Sequence, residues 1–269
     1  MPEISSDDIT PTQIEGLKKL AKENGSIFAR LELYGLYSEN AEKLVKSMGF
    51  IKAFEEVQPK WRQFIDLTQT TGEILAQMKQ KGRYNIKLAE RKEVEISCQL
   101  LAISYQQNSN KTLKIFYSLY EQTVKREGIT GRSLSYFANM VDRFKETDYI
   151  RIYTAKLGHE YLAAALVSFF GDVATYLYGG SSRRHKEVMA PYLMHWQIIK
   201  DAKAAGLKIY DLHGRSKIED EHSLWAGITK FKEQFGGAPT ELLGSYDYVN
   251  KSVFYQIFKI AEKMRRKEN

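Results

Sequence analysis

Between Tyr149 and Leu212 the order of apolar runs and turn residues leaves few ways to fold. Three apolar stretches, Tyr149 to Leu157, Tyr161 to Phe170 and Val173 to Tyr178, are separated only by Gly158-His159 and Gly171-Asp172. Turns that short join antiparallel neighbours, so the pattern predicts a three-stranded meander. Pro191 then opens a helix that runs to about Ala205, Gly206 closes it, and Leu207 to Leu212 reads as a buried strand. A helical crossover of this length is what parallel pairing requires, so the last strand should lie parallel to Val173–Tyr178.

The elements around this unit follow from the same rules. Upstream stand a helix from Pro11 to Asn24 capped by Thr10, a strand from Ser26 to Leu33, a helix from Glu39 to Met48 and a strand region from Val57 to Leu67. Thr71 to Lys92 reads as one basic helix in which Gly82 is a possible break, followed by a strand around Val94 to Ile103. Leu113 to Arg126 and Ser133 to Phe144 are helices. A helix near Leu224 to Phe235, a strand near Glu241 to Tyr248 and a basic helix from about Val253 complete the chain.

Several classes of protein are excluded on composition. One cysteine, Cys98, rules out an internal disulfide framework and any multi-cysteine zinc site, and points to a reducing cytoplasm. No apolar run approaches the roughly 20 residues a membrane helix needs. The histidines His159, His185, His195, His213 and His222 show no metal-ligand spacing, and turn, loop or surface roles are expected for all five. The net charge of +7 is uneven: residues 1–70 hold nine basic and eleven acidic residues, or −2, leaving +9 for the remainder. Such a bias suits an anionic partner, whether nucleic acid, a phosphorylated metabolite or an anionic membrane surface.

Strand, two helices, meander, helix, parallel strand, helix, strand is the element order of the GNAT acyltransferase fold, an analogy that carries no chemistry by itself. In that fold the loop after the meander usually holds the coenzyme A diphosphate on glycine-rich backbone. Here it reads SSRRHKEVMAP, with no glycine from Ser181 to Pro191, which disfavours a coenzyme A donor.

Four stretches carry a more specific resemblance: KGRYNIKLAERKEVEI (Lys81 to Ile96), TYLYGGSS (Thr175 to Ser182), APYLMHWQIIKDAKAAGLKIYDLHG (Ala190 to Gly214), and GITKFKEQFGG followed by ELLGSYDYV (Gly227 to Val249). In this order they resemble the Fem family (FemABX) of peptidoglycan-bridge aminoacyltransferases, over roughly residues 26–260. The resemblance implies an α/β (α+β) fold with two GNAT-like domains, a partial first domain with its linking helix at 1–92 and a complete second domain at 93–269. It implies transfer of an amino acid from aminoacyl-tRNA to the stem peptide of a UDP-linked or lipid-linked muramyl precursor. Aminoacyl-tRNA is then a co-substrate and no separate cofactor is implied. The expected location is the cytoplasm, with peripheral contact to an anionic membrane among the readings of the basic charge.

The resemblance also assigns residues. The family's substrate-binding pattern Thr-x-Arg-x-x-x-Tyr falls on Thr130, Arg132 and Tyr136, and its Phe-Lys pair beside the muramyl diphosphate falls on Phe231 and Lys232. Tyr178 is implied to line the same site. An arginine suits a diphosphate because its planar fork donates two parallel hydrogen bonds. A fixed cation such as Lys232 suits charge that develops on a carbonyl oxygen and a leaving ribose oxygen. Without the resemblance, Arg132 reads as a helix-start arginine, Tyr136 as a core aromatic and Lys232 as a solvated lysine. Strand alternation puts Tyr176 and Tyr178 on one face and Leu177 on the other. Asp211, at the end of the parallel strand, with Gly214 and Arg215 beside it, sits where α/β sheets often place ligands. The basic runs Lys79, Lys81, Arg83, Lys87, Arg91, Lys92 and Lys263, Arg265, Arg266, Lys267 read as solvated faces or as contacts to tRNA phosphates or anionic lipid.

The family's first domain begins well before the equivalent of Ser26. The expectation is therefore an N-terminally short member, which leaves a non-catalytic precursor- or tRNA-binding module as the alternative function. The strand at Ser26 is expected to be an open edge with unpaired backbone groups.

Overall fold

The structure, a computed structural model, describes residues 4–5, 9–100, 108–217 and 225–265. Ile103, His222, Arg266 and Lys267 lie outside the described residues, as does the start of the helix expected from Leu224.

The chain forms two compact units, Met1–Arg62 with Thr240–Asn269, and Gln63–Pro239. This grouping differs from the division at 92/93 expected above. The reason is a pairing between residues far apart in sequence, which single-strand patterns do not encode: the strand near Glu241 returns to the N-terminal elements.

In the first unit, β1 (Ile4–Ser5) precedes α1 (Pro11–Glu23), β2 (Phe28–Leu36), α2 (Glu39–Ser47) and β3 (Ile51–Lys52). Thr10 caps α1 as expected, in a capping box with Gln13 and with Pro11 in the first turn. β2 is not an open edge. It pairs in parallel with β1 at Leu33 and Tyr34, and antiparallel with the strand at 238–249 from Leu242↔Leu36 to Val249↔Phe28.

β4 (Trp61–Asp66) enters the second unit at Gln63, and that unit continues with α3 (Thr71–Gln77), α4 (Gln80–Arg91), β5 (Glu95–Leu100), α5 (Asn108–Glu127), α6 (Leu134–Arg143), β6 (Ile150–Leu157), β7 (Glu160–Phe170), β8 (Val173–Ser181), α7 (Ala190–Ala204), β9 (Ile209–Gly214) and α8 (Ala226–Lys232). β10 (Ala238–Val249), from Thr240 onward, and α9 (Ser252–Arg265) then complete the first unit. The expected basic helix is two helices, broken at Met78-Lys79 rather than at Gly82. Gly82 sits inside α4 because a Cβ there would lie 2.2 Å from the Gln234 carbonyl oxygen; the missing side chain permits close packing.

The three-stranded meander is present as read in β6, β7 and β8, which pair antiparallel in turn; β5 adds a fourth antiparallel strand beside β6, and β8 pairs in parallel with β9 from Val173↔Ile209 to Thr175↔Asp211. β7 shows why both faces are covered. Ala163, Ala165 and Val167 pack in a core with α7, whereas Ala164 and Leu166 pack with Phe116 and Leu119 of α5 and Phe137 of α6. A strand buried on both faces needs a continuous apolar run, and YLAAALVSFF supplies it.

Candidate functional site

Along β8 the expected alternation fails at one residue. Tyr178 pairs with Leu166 and Tyr176 with Val167, so Leu177 is the extra residue of a β-bulge. An inserted residue shifts every side chain after it to the other face. Tyr176 accordingly packs in the α7 core, while Leu177 and Tyr178 both pack in the α5/α6 core. The reading that put Tyr176 and Tyr178 on one face is corrected by this bulge.

The bulge aims Tyr178 at α6. Its hydroxyl lies 3.2 Å from that of Tyr136, and its ring meets Phe137 edge-on at 4.9 Å. Ser133 caps α6, accepting from the Tyr136 N–H at 3.2 Å, which fixes the first turn on which Tyr136 stands. The Arg132 guanidinium lies 5.4 Å from the centre of the Tyr136 ring, and the Arg132 backbone N–H donates to the Tyr120 hydroxyl at 2.9 Å. Burial, then the hydrogen bond with Tyr136, pushes the Tyr178 phenol up to about 12, so it stays neutral and keeps its proton at ordinary pH. Arg132 and Tyr136 are exposed, and Thr130 is exposed in the segment before α6. Arg132, Tyr136 and Tyr178 thus converge as a donor-rich surface of one cation and two hydroxyls. Tyr120, which the sequence reading passed over, anchors its backbone; a tyrosine at helical spacing with Phe116 was the only available signal.

Phe231 and Lys232 belong to a different group. Phe231 packs edge-on against Tyr192 at 5.1 Å and Phe235 at 5.3 Å, on the α7 side. Lys232 is not a solvated lysine: it is 4 % exposed, and its ammonium donates to the Gly214 carbonyl at the end of β9. His195 lies nearby in the same core, with Nδ1 2.7 Å from the Tyr210 hydroxyl and its ring 5.5 Å from that of Phe231. Burial, then the Lys232 charge, holds the His195 imidazole down at about 3, hence neutral. The surface role expected for His195 is therefore wrong. Its position between Met194 and Trp196, inside the apolar run of α7, was the sequence signal for a core histidine.

Around the end of β9 the polar groups are buried and paired. Asp211 Oδ1 accepts from the His213 N–H at 2.6 Å. Arg215 donates to Gln63 of β4, and at 2.9 Å to Glu233. Glu233 also pairs with Lys79 at 2.8 Å, and the Ser216 N–H donates to Thr229 of α8 at 2.8 Å. These bonds tie β4, β9 and α8 together, so Lys232 is held in one position. Gln63 carries no motif, and Glu233, although inside the GITKFKEQFGG stretch, was not singled out in advance. Of the basic run that begins at Lys79, just before α4, Lys79 is committed to Glu233, and Arg83 donates to the Ala76 and Met78 carbonyls.

The mixed α/β architecture with a meander, a bulged strand and a parallel crossover defines a GNAT-like fold. A crystal structure of FemX superposes with TM-score 0.81 at 20% identity, covering 91% of this chain and 78% of that one. The C-terminal domain of a putative lysylphosphatidylglycerol synthetase from Agrobacterium fabrum superposes with TM-score 0.61 at 11% identity, over 93% of this chain and 77% of that one. Both show the shared fold alone. In sequence, residues 2–160 and 152–263 match the FemAB family, and the chain belongs to that family. It is distantly homologous to a lipid II:glycine glycyltransferase of Staphylococcus epidermidis, 21% identical over 93% of this chain and 75% of the relative.

Proposed function

We propose that this chain is an aminoacyltransferase that moves an amino acid from aminoacyl-tRNA to the stem peptide of a peptidoglycan precursor, contributing to cell-wall cross-bridges. Family membership supports the reaction class, and the convergence of Arg132, Tyr136 and Tyr178 is the observation that carries the acceptor. The Arg132 fork binds precursor phosphate, and the two hydroxyls bind its amide or sugar oxygens. Phe231 and Thr130 complete the substrate contacts, as the resemblance implies.

In the transfer, a neutral stem-peptide amine attacks the ester carbonyl carbon of the aminoacyl-tRNA. The new C–N bond forms as the ester C–O bond breaks, the ribose oxygen leaves, and the proton lost by the amine ends on that oxygen. Lys232 is the catalytic cation we assign, stabilising the negative charge on the carbonyl and ribose oxygens. Its burial strengthens such an interaction, because the surrounding dielectric is low. Residues 1–92 and 93–269 are proposed as the segments of the two GNAT-like family domains. The place of action we propose, by analogy with the family, is the cytoplasm.

The test mixes the purified chain with charged tRNA and UDP-linked muramyl pentapeptide or its lipid-linked form, then weighs the precursor. The expected product is heavier by one amino-acid residue, only when the tRNA is charged. Precursor binding with no mass gain under any charged tRNA contradicts the transfer reading and favours a binding module.

A further inference from the structure

α9 is apolar on two sides. Its inner side packs Tyr255 and Phe258 against Phe28 and Phe54, with ring centres 5.3 to 6.0 Å apart, and the Tyr255 hydroxyl donates to Asp247 at 2.6 Å. That contact fixes which side faces outward. On the outer side Val253, Phe254, Ile257, Ile260 and Met264 are 57 to 72 % exposed. At about 100° per residue they fall, with Ala261, within an arc of about 120° that runs about 16 Å along the helix. Arg265, paired with Glu262 at 2.7 Å, stands about 20° beyond one margin of this arc and Lys263 about 60° beyond the other. From Lys251 to Arg265 there are four basic residues and one acidic, a net +3.

We infer that this outer face of α9 docks on the surface of an anionic lipid bilayer. An aliphatic and aromatic arc with basic margins is the pattern of a helix that lies in the membrane plane, its apolar side chains in the acyl boundary and its cations among the headgroups. A second copy of the chain fits less well. Six side chains fall short of the roughly 800 Å² per partner of a stable interface, and pairing two such faces sets +3 against +3. An RNA fits less well again, since Phe254 alone among these six outer side chains offers a base an aromatic platform. The inference goes beyond the proposed transferase reading and does not rest on it.

The test is co-sedimentation of the full chain with vesicles of phosphatidylcholine alone and with one-third phosphatidylglycerol, at low and high salt. Binding is expected only with the anionic vesicles, weakening as salt rises. Ile257→Ser and Ile260→Ser should each lower it about tenfold, and Lys263→Ser about fivefold. Melting should stay at the wild-type temperature, because these side chains are exposed. Transfer to the soluble UDP-linked precursor should be unchanged in all three variants, which separates this inference from the transferase reading. Absence of binding to anionic vesicles at low salt overturns it. So does equal binding by a normally folded Ile257→Ser/Ile260→Ser variant, a solution dimer that the same pair dissolves, or RNA binding, without vesicle binding, that the pair abolishes.

Discussion

Arg132, Tyr136 and Tyr178 on the α5/α6 side of the second unit, and His195, Lys232 and Arg215 around the end of β9, are both polar groups resting on aromatic packing, but they meet water differently. The first group presents its cation and one hydroxyl outward, with Tyr136 39 % exposed. The second is buried, and Lys232 and Arg215 each donate to a fixed partner on β9, β4 or the segment after α8. Each is backed by a glycine that lets two elements approach closely. Gly180 lies against the α5 backbone, where a Cβ would fall 2.3 Å from the Leu119 carbonyl, and Gly82 lies against Gln234. Under the proposed reading the contrast is a division of labour: the exposed, adjustable donor surface would recognise an arriving ligand, whereas the buried cation would already be ordered when charge develops beside it.

The largest effect that would sharpen this contrast is expected at the buried cation. Lys232→Met should lower transfer by about 10² to 10³-fold with little change in precursor affinity, measured as single-turnover rates beside equilibrium titration. An equal loss in affinity and rate would place Lys232 among the binding groups instead.

Substituting the close-approach glycine tests whether packing sets the exposed group. Gly180→Ala drives a methyl group into the α5 backbone and should cost about 1–3 kcal/mol, read as a lower urea midpoint. A midpoint equal to wild type would mean that α5 is free to move away from β8, and that the Tyr178 surface is loosely held.

His195 gives the buried group a pH signature. Its imidazole stays neutral in the folded chain down to about 3, whereas an unfolded histidine takes up a proton near 6.5. The unfolded state therefore binds more protons below pH 6.5, and stability contributed above that pH is lost as pH falls from 6.5 toward 3. The expected slope is about 1.4 kcal/mol per pH unit in that window. Denaturant titrations of wild type and His195→Gln at several pH values should differ by this one-proton slope. Parallel profiles would show that His195 is not buried as described.

These outcomes bear on what the sequence disclosed. The meander and crossover were legible because two-residue turns and a proline-opened helix act locally, and the family motifs led to Arg132, Tyr136, Tyr178 and Lys232. The bulge at Leu177 was not legible, since register depends on the partner strand β7 and no residue type marks it. Nor was the closure of β2 by β10, a pairing across some 200 residues, or the burial of Lys232, whose Gly214 partner is brought in by the β9 end. A lysine on a short helix looks solvated until tertiary structure covers it.

The smallest effects belong to the hydroxyl pair. Tyr178→Phe and Tyr136→Phe should each weaken precursor binding no more than about tenfold, the range of one neutral hydrogen bond. The double variant should fall short of the summed losses, because the two hydroxyls touch each other. Strict additivity would separate them into independent contacts.

The central claim, that the Arg132 surface receives the precursor, is tested most directly by calorimetric titration of UDP-linked muramyl pentapeptide into wild type and Arg132→Ala. Arg132 is exposed and its side chain supports no core, so the variant should melt as wild type does. The account predicts a loss of affinity of about tenfold to a hundredfold, the range of a charge-assisted hydrogen bond. Equal affinity in the two proteins would contradict it and return Arg132, Tyr136 and Tyr178 to an ordinary solvated surface.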